Sequence, residues 1–118
     1  MKKRVGLKYK NKKIYLNVRK CNRFDEGFGL MFMGGEDAEA LLFDFSDRKK
    51  LNITSLFVFF PFLAIWLDDK NKIVEIRKIK PFSFNISQKK NFSKIIEIPL
   101  NRKYRKIIEK FDDKERFK

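Results

Sequence analysis

The chain has 118 residues, with 29 Lys and Arg against 15 Asp and Glu, a net charge of +14, one Cys and no His. The lone Cys21 rules out an intrachain disulfide and a Cys-based zinc centre, and the lack of His removes Ser–His and Cys–His nucleophiles and His-ligated metals. The positive charge runs from Lys2 to Lys118 and favours polyanions such as nucleic acid, anionic lipid headgroups or an acidic protein. The same excess fits a Lys-rich proteome, and a composition rich in Ile and Lys with one Gln suggests a heat-adapted, archaeal or AT-biased source.

Met1-Lys2-Lys3-Arg4 has the charge of a signal-peptide leader, but no apolar stretch follows it. Instead Val5, Leu7 and Tyr9, then Ile14, Leu16 and Val18, alternate with polar residues, which predicts two half-buried strands. Lys10 to Lys13, with Asn11, links them into a hairpin with a basic outer face. Asn22 caps a predicted short helix near Phe24, with Asp25 and Glu26 in its first turn. Gly34-Gly35 ends it, Glu36 to Glu39 reads as a solvated acidic loop, and Leu41 to Phe45 reads as a strand.

Ile53 to Phe60 and Phe62 to Leu67, divided by Pro61, are aromatic and β-branched and predict two buried strands. The apolar run from Leu56 to Leu67 falls short of the roughly 20 residues of a membrane span. The Asp68-Asp69-Lys70-Asn71 turn leads to a strand at Ile73 to Ile79, forming a hairpin. Phe82, Phe84 and Ile86 alternate in a looser stretch, and Lys94 to Ile98 is a further strand. Tyr104, Ile107, Ile108 and Phe111 then form the stripe of a closing helix capped by Asn101. Asp112-Asp113 ends this helix, and Arg116 to Lys118 adds a last short strand. The predicted architecture is a single mostly-β α+β domain over residues 1–118. It is a small partly closed β-barrel or strongly curved sheet with two short helices.

In this order the segments resemble the domain-of-unknown-function 192 family of small prokaryotic proteins. Gly29-Leu30-Met31-Phe32 is similar to the family's Gly-Leu-Met-Phe-Arg signature. Ala40 to Phe45 is similar to its Gly-Met-Leu-Phe-x-Phe strand. Ile53 to Leu67 occupies its aromatic stretch, with Pro61 at the family proline; Asp68 to Ile76 and Asn101 to Phe117 follow as its turn, strand and closing helix. The family's Arg falls at Met33, its Asn-Thr at Phe57-Val58, and its Asp at Leu63. The family has no assigned reaction, so the resemblance implies a fold and leaves the chemistry open.

Gly29 with Gly34-Gly35 lacks the Lys-Ser or Lys-Thr of a phosphate loop. Glu36, Asp37 and Glu39 lack the spacing of a calcium loop. Trp66, in a dense apolar strand, reads as core. Two features carry binding chemistry. Tyr9, Lys12, Lys13 and Tyr15 interleave aromatics with cations, a pattern that tracks single-stranded nucleic acid. Arg102, Lys103, Arg105 and Lys106 crowd the start of the closing helix against its dipole, where they would gather a phosphate, sulfate or carboxylate.

The reading is a cytoplasmic, non-enzymatic β-rich domain with no cofactor and no metal, which binds a phosphate-bearing or other anionic ligand. The alternatives are a nucleic-acid-associated accessory protein, a carboxylate- or lysine-based enzyme, and a module for a protein partner.

Overall fold

A computed structural model describes residues 2–21, 38–44, 61–80 and 91–111. These form six strands, β1 (Lys2–Tyr9), β2 (Lys12–Cys21), β3 (Leu41–Asp44), β4 (Phe62–Leu67), β5 (Ile73–Ile79) and β6 (Lys94–Pro99). A 3-10 turn, Arg102–Tyr104, then runs directly into helix α1, Arg105–Lys110. The strands make one mixed sheet in the order β1-β2-β3-β6-β4-β5. The β2–β3 pairing is parallel and every other pairing is antiparallel.

The hairpin is longer than its apolar alternation suggests, because the basic residues Lys2 to Arg4 join β1 and pair as far as Arg19. Tyr9 faces Lys12, leaving Lys10 and Asn11 as a two-residue turn with φ of 48° and 63°. Positive φ at both central residues matches the twist of the flanking strands. At the β4–β5 turn, Asn71 takes φ 64° and Asp68 Oδ1 accepts hydrogen bonds from the backbone N–H groups of Lys70 and Lys72, each at 2.9 Å.

The sheet curls into a half-barrel. Its edge strands meet at one end, where the Lys8 N–H donates to the Asn71 carbonyl at 3.0 Å and Lys8 bridges Lys72 in parallel. The concave face holds the main core. Val5, Leu7, Ile14, Leu16, Val18, Leu42, Leu63, Ile65, Ile96 and Ile98 pack there against Tyr104 and Phe111 of the closing helical segment. Leu41, Phe43, Phe62, Ala64, Trp66 and Ile95 form a second buried cluster on the other face of the central strands. Trp66 is therefore core, with the Arg77 guanidinium 5.1 Å from its ring centre. Both faces of β4 are buried, as its unbroken apolar sequence requires.

The mostly-β curved sheet is as expected, and the two short helices are not both seen among the described residues. The described chain has one helical segment of nine residues, and the helix expected near Phe24 lies outside the described residues. So do the expected strands at Ile53 to Phe60 and Arg116 to Lys118, and the looser alternating stretch at Phe82 to Ile86. Among the described residues no helix is long and apolar enough to cross a membrane.

Candidate functional site

The closing helical segment is fixed to the sheet by two polar contacts made before β3 begins. The Tyr104 hydroxyl accepts the Ala40 N–H at 2.7 Å, and the Asn101 side-chain amide donates to the Ala38 carbonyl at 3.2 Å. Asn101 occupies the N-cap position, yet its side chain makes no cap hydrogen bond. It joins two parts of the chain instead. Burial raises the pKa of the Tyr104 hydroxyl; the Ala40 hydrogen bond opposes this and the nearby Glu39 carboxylate adds to it.

These contacts place Glu39 at the junction of three elements. Its Oε2 accepts from Arg19 Nε at 2.8 Å, and its Oε1 lies 3.3 Å from Lys2 Nζ and 3.9 Å from Lys103 Nζ. The Arg19 hydrogen bond holds the Glu39 carboxyl below the usual carboxylate range, against partial desolvation and with help from Lys2. Around this carboxylate opens a hollow of about 510 Å³. Lys2, Lys3, Arg4, Arg19 and Lys103 supply cations, and Leu16, Val18, Ala40, Tyr104 and Ile107 supply an apolar wall. The volume falls within the range of small-molecule sites, about 300–1,000 Å³.

Of the four cations predicted at the helix start, Lys103 lines the hollow, while Arg102, Arg105 and Lys106 are exposed and do not line it. The other cations come from β1 and β2. Glu39 and Arg19 escaped the sequence reading, since Glu39 looked like part of a solvated loop. The pair is 20 residues apart in sequence, and the parallel β2–β3 register, Arg19 opposite Leu41, brings it together.

The second predicted set falls at the other end of the hairpin. Tyr9, Lys12 and Lys13 line a hollow of about 420 Å³ with Lys8, Lys10 and Lys72. Tyr9 packs against Phe111, with ring centres 5.6 Å apart. Tyr15 does not line this hollow; it lies on the outer face of β2 and is 48% exposed.

One carboxyl sits apart from both hollows. Glu97 is 0% exposed in β6, between Leu41 and Ala64 on the face of the second cluster, and neither of its oxygens has a hydrogen-bond partner among the described residues. Desolvation raises its pKa well above the usual carboxylate range. The pattern of Lys94 to Ile98 gave no sign of this, because a lone Glu between isoleucines reads as a solvent-facing position. Among the described residues there is no group of three or more Cys, Asp or Glu able to hold a metal.

The profile of the DUF192 family, described as "Uncharacterized ACR", matches residues 7–112. No curated protein and no solved structure matches the chain.

Proposed function

The chain belongs to the DUF192 family, and from that premise we propose that it is a non-enzymatic domain that binds a small organic anion in the hollow between the β1–β2 hairpin and the closing helical segment. The observation that carries this reading is the charge of the lining, five cations around one carboxylate among the described residues. Glu39 pairs with Lys2, Arg19 and Lys103 and holds them in place, and among the described residues lining the hollow the cations outnumber it. Arg19 offers the planar fork suited to phosphate or carboxylate. The apolar wall beside the cations suits a ligand with an apolar body and an anionic end, such as a phosphate ester. Arg102, Arg105 and Lys106 add to the local positive potential without lining the hollow.

The test is calorimetric titration with inorganic phosphate, pyrophosphate and a phenyl phosphate at low salt. Lys103→Ala and Arg19→Gln should each weaken binding by about tenfold, the scale of one lost charge-assisted hydrogen bond. Arg102→Glu with Arg105→Glu should weaken it less than either, and Lys12→Glu with Lys13→Glu should leave it nearly intact. Equal losses in all four proteins would mean a diffuse field and no site.

A further inference from the structure

We propose that the outer face of the β1–β2 hairpin is a track for single-stranded nucleic acid, running from the anion hollow to the hairpin turn. The proposal goes beyond the small-anion reading, although it shares Lys2, Arg4 and Arg19 with that site.

The register places Lys2 opposite Arg19, Arg4 opposite Asn17, Gly6 opposite Tyr15 and Lys8 opposite Lys13. Val5, Leu7, Ile14, Leu16 and Val18 take the other face, in the core, so these four rows form one outward surface. Residues 2–20 contain no Asp or Glu. Like charges directly opposite each other destabilise a sheet, and two of the four rows are cation against cation. Glu39 offsets the Lys2–Arg19 row. Among the described residues, neither Lys8 nor Lys13 has a carboxylate partner. A local rule broken in this way marks a surface shaped for a partner.

Tyr15 stands in the middle of this surface and is the exposed large hydrophobic side chain among the described residues. Gly6 lets its ring lean across the neighbouring strand. A Cβ at Gly6 would lie 3.2 Å from Tyr15 Cε1 and 2.8 Å from Lys13 Cε. The Arg4 guanidinium lies 4.6 Å from the ring centre and Lys13 Nζ 5.7 Å. Both cations lie over the ring, so a base stacks on Tyr15 by displacing Arg4 or Lys13 from the ring face. The displaced cation then meets a neighbouring phosphate, exchanging one contact for another.

The cationic rows from Lys2 to Lys8 extend about 20 Å at the strand rise, in the range of the shortest single-strand sites of about four nucleotides. A single strand is favoured over a duplex because stacking on Tyr15 needs an unpaired base face.

Fluorescence anisotropy with labelled oligo-dT and oligo-U of twelve nucleotides, over a salt series, tests the proposal. We expect a log–log salt slope near −2 to −3, from three or four phosphates at about 0.7 per contact. Tyr15→Ala should weaken binding by about tenfold, Tyr15→Phe should retain it, and Lys8→Ala with Lys13→Ala should flatten the slope. Tyr15→Ala should leave titration of the hollow with pyrophosphate unchanged, which separates failure of the track from failure of the small-anion site. Absence of oligonucleotide binding at low salt would overturn the proposal. So would wild-type affinity in Tyr15→Ala, or equal affinity for heparin or for vesicles of anionic lipid.

Discussion

Replacing Glu97 by Gln should stabilise the fold at neutral pH and leave it nearly unchanged at acid pH. The carboxyl is sealed in β6 with neither oxygen hydrogen-bonded to a described residue, and desolvation raises its pKa well above the usual range. In the unfolded chain a Glu releases its proton near pH 4.3. Above that pH the unfolded state is ionised while the folded state keeps its proton. Each pH unit between the unfolded value and the raised folded value then costs the fold about 1.4 kcal/mol. The contribution is fully favourable below the unfolded pKa and is lost as pH rises through the folded one. Glu39 works in the opposite sense. Its lowered pKa gives stability that is present above the unfolded value and is lost as pH falls through the folded one.

Gln matches Glu97 in size and cannot ionise, so the pH dependence of the difference between the two proteins cancels Glu39 and isolates the buried group. Urea unfolding at pH 4, 5, 6 and 7 should show the Glu97→Gln advantage grow by about 1.4 kcal/mol per unit above the unfolded value and level off once pH passes the folded one. A difference that does not change with pH, or a Gln variant less stable than wild type at pH 7, would refute the reasoning.

Three further outcomes follow from the same geometry. Tyr104→Phe removes the acceptor for the buried Ala40 N–H; chemical denaturation should show a loss of about 1–3 kcal/mol, and a change below 0.5 kcal/mol (roughly the surface-substitution level) would place the helix contact elsewhere. Phe43→Ala empties a buried position in the second cluster and should cost about 3–5 kcal/mol by the same assay; a near-neutral result would mean that this ring is not packed. Glu39→Gln removes the one negative charge in the hollow and should tighten phosphate binding by about threefold, from a Coulomb repulsion of about 0.7 kcal/mol at 6 Å in water; weaker binding in calorimetry would mean that Glu39 contributes more by positioning Arg19 than it costs by repulsion.

The sheet was legible where local pattern and tertiary environment agree. Val5 to Val18 alternates because one face meets the core and the other meets water, and Phe62 to Leu67 is apolar throughout because both faces of β4 are buried. The stripe of Tyr104, Ile107, Ile108 and Phe111 announced the closing helix because its partner is the concave face. The cationic leader Lys2 to Arg4 was not legible as strand, since its pairing with Val18 and Arg19 supplies what its own propensity lacks.

The candidate site was legible only in part. Lys103 stood out as a cation against a helix dipole, and Tyr15 as an aromatic among lysines. The rest of the hollow depends on long-range placement. Glu39 meets Arg19 through the parallel β2–β3 pairing, and Tyr104 meets Ala40 across 64 residues. No local periodicity encodes either meeting. Glu97 was hidden for a related reason. Its strand has a buried outer face, and the alternation rule assumes a solvated one.

The most direct measurement is an amide nuclear magnetic resonance titration of the 15N-labelled protein with pyrophosphate at low salt. Saturable shifts concentrated at Lys2 to Arg4, Asn17 to Arg19, Glu39, Ala40 and Lys103 are the predicted result. Shifts that grow linearly without saturating, spread evenly over the exposed lysines from Lys8 to Lys110, would contradict an anion site in the hollow.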